Sequence, residues 1–257
     1  MQPTNCLNCG QALTGTYCSQ CGQKETHRYS VKHVMHELVH VFTHADKGIF
    51  SFAWNILRKP GVVALDLVEG RRKRYFNLFQ YLLLIVGFVT FLILKFDVIG
   101  HTLKNINDAN ATTLSERQLQ AQQEATYIIQ KYNNILQLLL IPVYAFFSWL
   151  FVERKRYNFA ERLVLHAASS AQSNTLAIVT TALMVVLSSV NGLIITGILS
   201  LGVMLFSFTI SYKQFFKFSL LKSFGFSVLV FVCSYVVQIF LIGAFVALYT
   251  ILFVIKK

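Results

Sequence analysis

Five runs of this chain, at about 77–94, 135–152, 170–190, 193–212 and 224–254, are apolar over most of their length and contain no aspartate or glutamate. A helix needs roughly 20 such residues to cross a hydrocarbon core of about 30 Å, and in lipid a single segment can satisfy its own backbone only as a helix. The composition agrees with this reading. Only 13% of the 257 residues are charged, about half the share usual in a soluble domain, and the mean hydropathy is +0.55. The expected fold class is all-α, a polytopic helical membrane protein of about five spans. Pro142 inside the second run predicts a kink. Asn191-Gly192 predicts a tight turn between the third and fourth, and the fifth is long enough to tilt. The first thirty residues are polar and contain no apolar signal-peptide core.

Lysine and arginine near the ends of these runs set the orientation. Arg58, Lys59, Arg71, Arg72, Lys73 and Arg74 precede the first run. Arg154, Lys155, Arg156 and Arg162 lie between the second and third, and Lys213, Lys217 and Lys222 between the fourth and fifth. The 95–134 connection carries its cations thinly. The N-terminus is therefore expected inside and the loop at about 95–134 outside. The net charge of +12 is expected to face anionic headgroups of the bilayer; no nucleic acid is expected as a partner. Arg71, Arg72, Lys73 and Arg74 form the densest cluster and are the candidate lipid-contact residues. The absence of acids within the runs argues against a carboxylate-coupled transporter.

The N-terminus holds four of the five cysteines, as Cys6-x2-Cys9 and Cys18-x2-Cys21 with eight residues between the pairs. A two-residue gap places two thiolates on one tight turn. Gly10 and Gly22, one after each pair, supply the positive φ that turns backbone N–H groups towards sulfur. Two such turns make a closed tetrahedral site, the usual setting of structural zinc, with rubredoxin-like iron as the alternative metal. The competing readings are a disulfide pair, which would require an oxidising compartment, and a redox motif, which has a single C-x-x-C near a βαβ pattern that is absent. Residues 1–23 are therefore expected to form a small zinc ribbon that gains much of its folding energy from the metal. A closed site leaves no position for substrate, so the zinc is structural. The ribbon is also a candidate surface for a protein partner.

Residues 24–75 are expected to form juxtamembrane amphipathic helices, and 76–257 the membrane domain. Ser30 is a plausible N-cap for a helix over about 31–45, with Val31, Val34, Met35 and Leu38 on one face and His33, His36, His40 and His44 on the other. Within it, His36-Glu37-Leu38-Val39-His40 has the H-E-x-x-H spacing that places two imidazoles one turn apart. His36, Glu37 and His40 are the alternative catalytic set of a metallopeptidase. That reading needs a third ligand, for which Glu69, Glu153 and Glu161 are the candidates. A short apolar piece at 49–57 is expected to dock or lie in the interface, and Val62 to Glu69 to form a short amphipathic helix. The start of the third run is polar, with Gln172 and Asn174 among its residues. This suits helix packing, and it is also what a small-solute transporter would use.

Several of these segments occur together in a known order. Cys6-x-x-Cys9-Gly10, Tyr17-Cys18-x-x-Cys21-Gly22-Gln23, His36-Glu37-Leu38, Asp46-Lys47-Gly48, Leu57-x-x-Pro60-Gly61 and Gly70-Arg71-Arg72-Lys73-Arg74-Tyr75-Phe76 follow one another, with Asn158-Phe159-Ala160-Glu161 further on. The chain resembles an uncharacterised family of bacterial integral membrane proteins with an N-terminal zinc ribbon and a domain of unknown function. The resemblance implies a bacterial inner-membrane location and no particular activity. From sequence, the preferred function is a membrane-anchored adaptor, assembly or sensing protein, more in keeping with a non-enzyme than an enzyme.

Overall fold

The computed structural model describes residues 5–25, 28–32, 34, 48–96, 120, 124–125, 127–128, 136–187 and 190–255. Among them lie seven α-helices and no strand: α1 Ile49–Arg58, α2 Pro60–Val68, α3 Leu78–Lys95, α4 Ile141–Phe151, α5 Phe159–Val186, α6 Val190–Phe216 and α7 Leu220–Ile255. Three segments are long and apolar enough to cross a membrane, Leu78–Lys95, Ile194–Phe216 and Leu220–Tyr249. They make the chain a multi-pass membrane protein. Most of the expected 31–45 helix, including His33, His36, Glu37, His40 and His44, and nearly all of the 95–134 loop lie outside the described residues.

Two of the five apolar runs take forms other than a full span. The second is Leu136–Phe151, about 24 Å of helix at 1.5 Å per residue and short of the hydrocarbon thickness. It is interrupted at Leu140, and α4 restarts with Pro142 in its first turn. A proline lacking an N–H is tolerated there and not in a helix interior, so the expected kink becomes a helix start. The third run is the C-terminal part of α5, a 28-residue helix that begins at Phe159. Residues 160–169 of α5 are buried all round. Its polar residues made this half look like a loop, but it is the centre of the bundle. The Asn191-Gly192 turn is also corrected: both residues lie inside α6, which starts at Val190. The helix therefore breaks before this pair.

The short helices are packed into the bundle. In α1, Phe52 and Ile56 sit one turn apart and are buried, while Phe50 is 88% exposed and Trp54 59%. This one-sided helix lies against α5. Helix α2 was expected to be amphipathic, but it is sunk between α5 and α6 and buries Gly61, Val63, Ala64, Asp66 and Leu67. Pro60 opens it at a position where its missing N–H costs nothing. The approach to α6 is close at Gly61. A Cβ there would collide with the Ser211 carbonyl oxygen and lie 2.7 Å from Gln214 Cβ and 3.0 Å from Phe215 N. Gly61 N–H donates to Gln214 Oε1 (3.0 Å), and Gln214 Nε2 donates to the Arg58 carbonyl (3.2 Å).

Helix α3 is capped by Asn77, whose Oδ1 accepts from Gln80 N–H (3.0 Å), one residue from the expected start of the first run. Helix α7 contrasts with α5. It spans 36 residues, and only 11% of its apolar window is buried. Ser223, Ser227, Val230 and Ser234, all fully buried, form its one seam against the bundle. Small residues at such spacing let helix backbones approach closely in lipid. We expect Gly61→Ala to destabilise the fold by about 1–3 kcal/mol, the usual cost of overpacking a tight contact. Thermal unfolding in detergent reads this as a lowered midpoint, and an unchanged midpoint would refute the α2–α6 contact.

Candidate metal centre and its dock on the membrane domain

The cysteine head is built as two copies of one turn. Gly10 N–H donates to the Cys6 carbonyl (2.8 Å) and Gly22 N–H to the Cys18 carbonyl (2.9 Å). Cys6 N–H donates to the Gln11 carbonyl (2.7 Å) and Cys18 N–H to the Gln23 carbonyl (2.9 Å). The isolated bridges Asn5↔Ala12 and Tyr17↔Lys24 bracket the two turns at the same offset. Gly10 and Gly22 have φ of 81° and 67°, the positive values their positions demand. C-x-x-C-G-Q occurs twice, twelve residues apart, and each copy contributes two sulfurs.

The ligand atoms of Cys6, Cys9, Cys18 and Cys21 all lie within 4.8 Å of one another. Cys6 Sγ to Cys21 Sγ and Cys9 Sγ to Cys18 Sγ are both 3.6 Å. An ion held tetrahedrally at about 2.3 Å from each sulfur needs sulfurs about 3.8 Å apart, so the group can hold a metal ion. The thiols also share charge unequally. The Gln23 backbone N–H, helped by the Asn8 side chain, pulls Cys21 down to about 6. The Gln11 N–H acts to lower Cys9, but burial and hydrogen bonding to the other three thiols outweigh it and push Cys9 up to about 12. Four sulfurs this close cannot all ionise without a cation between them.

Gln23 leads from the second turn to the membrane domain. Its side chain is 5% exposed. Nε2 donates to the Gly70 carbonyl (2.7 Å), and Oε1 accepts from the backbone N–H groups of Arg72 (3.1 Å) and Lys73 (3.0 Å). One amide thus uses donor and acceptor together on the basic turn that leads into α3. Its counterpart in the first copy, Gln11, is exposed. The next residues extend the dock. Arg28 pairs with Glu161 through Nε and through Nη2 to Oε2 (2.9 Å), and reaches the Arg156 carbonyl (3.3 Å). Asn158 Nδ2 donates to the Tyr29 carbonyl (3.1 Å), and the Arg72 guanidinium lies 3.8 Å from the Tyr29 ring centroid.

The basic turn has its own internal anchor. Asp66, buried in α2, accepts from Arg71 Nε (3.0 Å), Arg71 Nη2 (2.6 Å) and the Tyr75 hydroxyl (2.6 Å), with Arg74 at 3.6 Å. Arg71 also pairs with Glu69. Burial, and then the bond to Asp66, push the Tyr75 phenol up to about 12. Of the four candidate lipid contacts, Arg71 and Arg72 are half-buried and held by the protein, while Lys73 and Arg74 are exposed.

The three carboxylates considered as a third ligand for His36 and His40 have other partners. Glu69 pairs with Arg71, and Glu153 faces Arg156 at 3.4 Å. Glu161 closes the α5 capping box with Asn158 and holds Arg28. His36, Glu37 and His40 themselves lie outside the described residues. Arg162, counted above as a loop cation, is fully buried in α5. Its guanidinium donates to the carbonyls of Ser148 (2.8 Å), Val152 and Glu153 (3.0 Å), in the last turn of α4 and the two residues after it. It therefore serves a helix C-terminus, where the dipole favours a cation. Sequence reasoning missed Asp66 and Arg28. A lone acid in an apolar helix with an arginine five residues later is the signal that would have found the first.

Residues 46–91 match a protein family described as a protein of unknown function (DUF3667). The match spans α1, α2, the basic turn and most of α3, and stops short of the cysteines. No curated protein and no solved structure gives a match. Glu161→Ala removes the α5 capping box and the Arg28 anchor together. We expect it to cost about 1–2 kcal/mol and to lower the unfolding midpoint more than Glu153→Ala, whose pair is exposed. Equal effects of the two would refute the anchor.

Proposed function

We propose that the protein is a membrane-anchored adaptor or assembly factor whose four thiolates hold one structural zinc ion. The metal-bound head is docked on the cytoplasmic face of the membrane helices and presents a surface there to a partner. The observation that carries this is the Gln23 clamp on Gly70, Arg72 and Lys73. Its backbone carbonyl closes the second cysteine turn while its side chain grips the basic turn ahead of α3. Metal binding and docking are therefore linked through one residue, and metal occupancy sets whether the head is presented in its docked position. This is also how such a head would act as a sensor.

The same end of the molecule gathers the cations that the orientation rule assigns to the cytoplasm. Arg28 of the linker reaches the 153–158 connection, and Gln214 of α6 binds the Arg58 carbonyl. Lys73, Arg74, Arg154, Lys155, Lys213 and Lys222 are exposed and meet anionic headgroups. Arg58 over Trp54 (5.2 Å) and Arg154 over Trp149 (4.1 Å) are the aromatic-cation pairs expected at a membrane interface. The protein sits in a bacterial inner membrane with its N-terminus inside. The Leu136–Phe151 segment and the C-terminal half of α5 complete a set of about five membrane segments.

Metal analysis of the purified protein should give one zinc per chain, lost in Cys18→Ser. A second zinc removed by His36→Ala with His40→Ala would replace the adaptor reading with a peptidase. Trypsin should cut at Lys24 and Arg28 at least tenfold faster after chelation, and equally fast in Gln23→Ala with its zinc retained. Cleavage that ignores both changes rules out metal-linked docking. Cysteine labelling of the chelated head in intact cells should require permeabilisation; labelling without it reverses the topology.

A further inference from the structure

A cavity of about 200 Å³ lies among α3, α4, α5 and α6. Its position along the helices is within the apolar spans. Val89 and Ile93 come from Leu78–Lys95, and Met204 and Phe208 from Ile194–Phe216. These four form an apolar wall. The opposite wall is polar and comes from one face of α5, where Ser170, Ser173, Asn174, Thr180 and Thr181 recur at helical spacing. Among the described residues, no charged side chain lines the cavity.

Some of this polarity is satisfied within α5. Ser173 Oγ donates to the Ser169 carbonyl (3.1 Å), Thr180 Oγ1 to the Ala177 carbonyl (3.2 Å) and Asn174 Nδ2 to the Ser170 carbonyl (2.9 Å). Three groups on buried lining residues are not. Among the described residues, Asn174 Oδ1, the Thr181 hydroxyl and the Tyr144 hydroxyl make no hydrogen bond. These lining residues are only 6%, 5% and 3% exposed. Phe208 holds the Tyr144 ring edge-on at 5.0 Å. Buried polar groups at membrane depth need partners, and here three converge on one space. Gln172, also on α5, turns away and donates to the Leu57 carbonyl (2.8 Å).

We infer that this cavity is a binding site for an uncharged, hydrogen-bonding ligand, a hydroxyl- or amide-bearing group of glycerol size set against an apolar wall. The space equals about six or seven water volumes, which suits such a head. An ion is unsuited, because nothing in the lining would compensate its charge. The same chemistry reaches the site either from a neutral lipid or alcohol in the bilayer or from a free polar solute. The inference does not rest on the metal head.

The test is equilibrium binding to the full chain in nanodiscs, with 1-monooctanoylglycerol, glycerol and octanoate as probes. Saturable binding of the first supports a lipid source, and of glycerol alone a solute source. Octanoate should not compete. Tyr144→Phe and Thr181→Val should each weaken binding roughly fivefold, the effect of one hydrogen bond, with unfolding midpoints at the wild-type value. Phe240→Leu, on the exposed face of α7, should leave binding unchanged. Absence of saturable binding, equal competition by octanoate, or wild-type affinity in both variants would each overturn the assignment.

Discussion

A helix that ends inside a packed structure leaves its last carbonyls without partners, and in this molecule long polar side chains from distant segments supply them. Arg162 serves the end of α4. Gln172 serves the Leu57 carbonyl and Gln214 the Arg58 carbonyl, the last two residues of α1. Gln23 serves the Gly70 carbonyl just beyond α2. Each bond joins segments separated in the chain, apart from the Arg162 bonds, which tie neighbouring helices. Short helices such as α1 and α2 have little hydrogen bonding of their own, and these bonds fix the end of α1 against α5 and α6. The crowded end of the bundle is therefore held by polar bonds to helix termini as much as by its aromatic core.

The cysteine head joins this system as one more supplier of such bonds. Its two turns are equivalent in backbone hydrogen bonding, yet only the second carries a docked glutamine. The asymmetry arises from position, because Gln23 is the residue from which the chain leaves for the membrane domain. Four thiols in reach of one another have a strongly shared titration, and Gln23 touches it directly, its backbone N–H bonding Cys21 and its carbonyl accepting from Cys18 N–H. The cysteine turns are legible as chemistry on their own, but the dock makes them part of the larger fold.

How much of this the sequence revealed varies with the kind of interaction. Positive φ at Gly10 and Gly22 and the start of α3 at Asn77 follow from local rules and were found where expected. The Asn158–Glu161 capping box is equally local, but it stands among the cations between the second and third runs, where polarity masks the helix start. In residues 160–169, Glu161, Arg162 and His166 suggest exposure, whereas each has a partner brought from elsewhere in the chain. The Asn191-Gly192 pair has strong turn propensity, yet the surrounding apolar helix overrides it. Of the candidate site, the four cysteines were visible and the unpartnered groups of the cavity were not. Tyr144 and Thr181 are ordinary residues until α4 and α5 are placed side by side.

Helix α7 shows a different balance between sequence and environment. Its fully buried positions are the seam of Ser223, Ser227, Val230 and Ser234, with Phe226 packed beside it, and most of its remaining surface faces outward. Lipid tails distinguish poorly among leucine, isoleucine, valine and phenylalanine. Most positions of α7 are therefore free to drift among these residues, while the three serines and one valine cannot grow without separating the helix from its neighbours. The longest helix of the molecule consequently carries little information about which fold it belongs to, and the narrow seam holds nearly all of it.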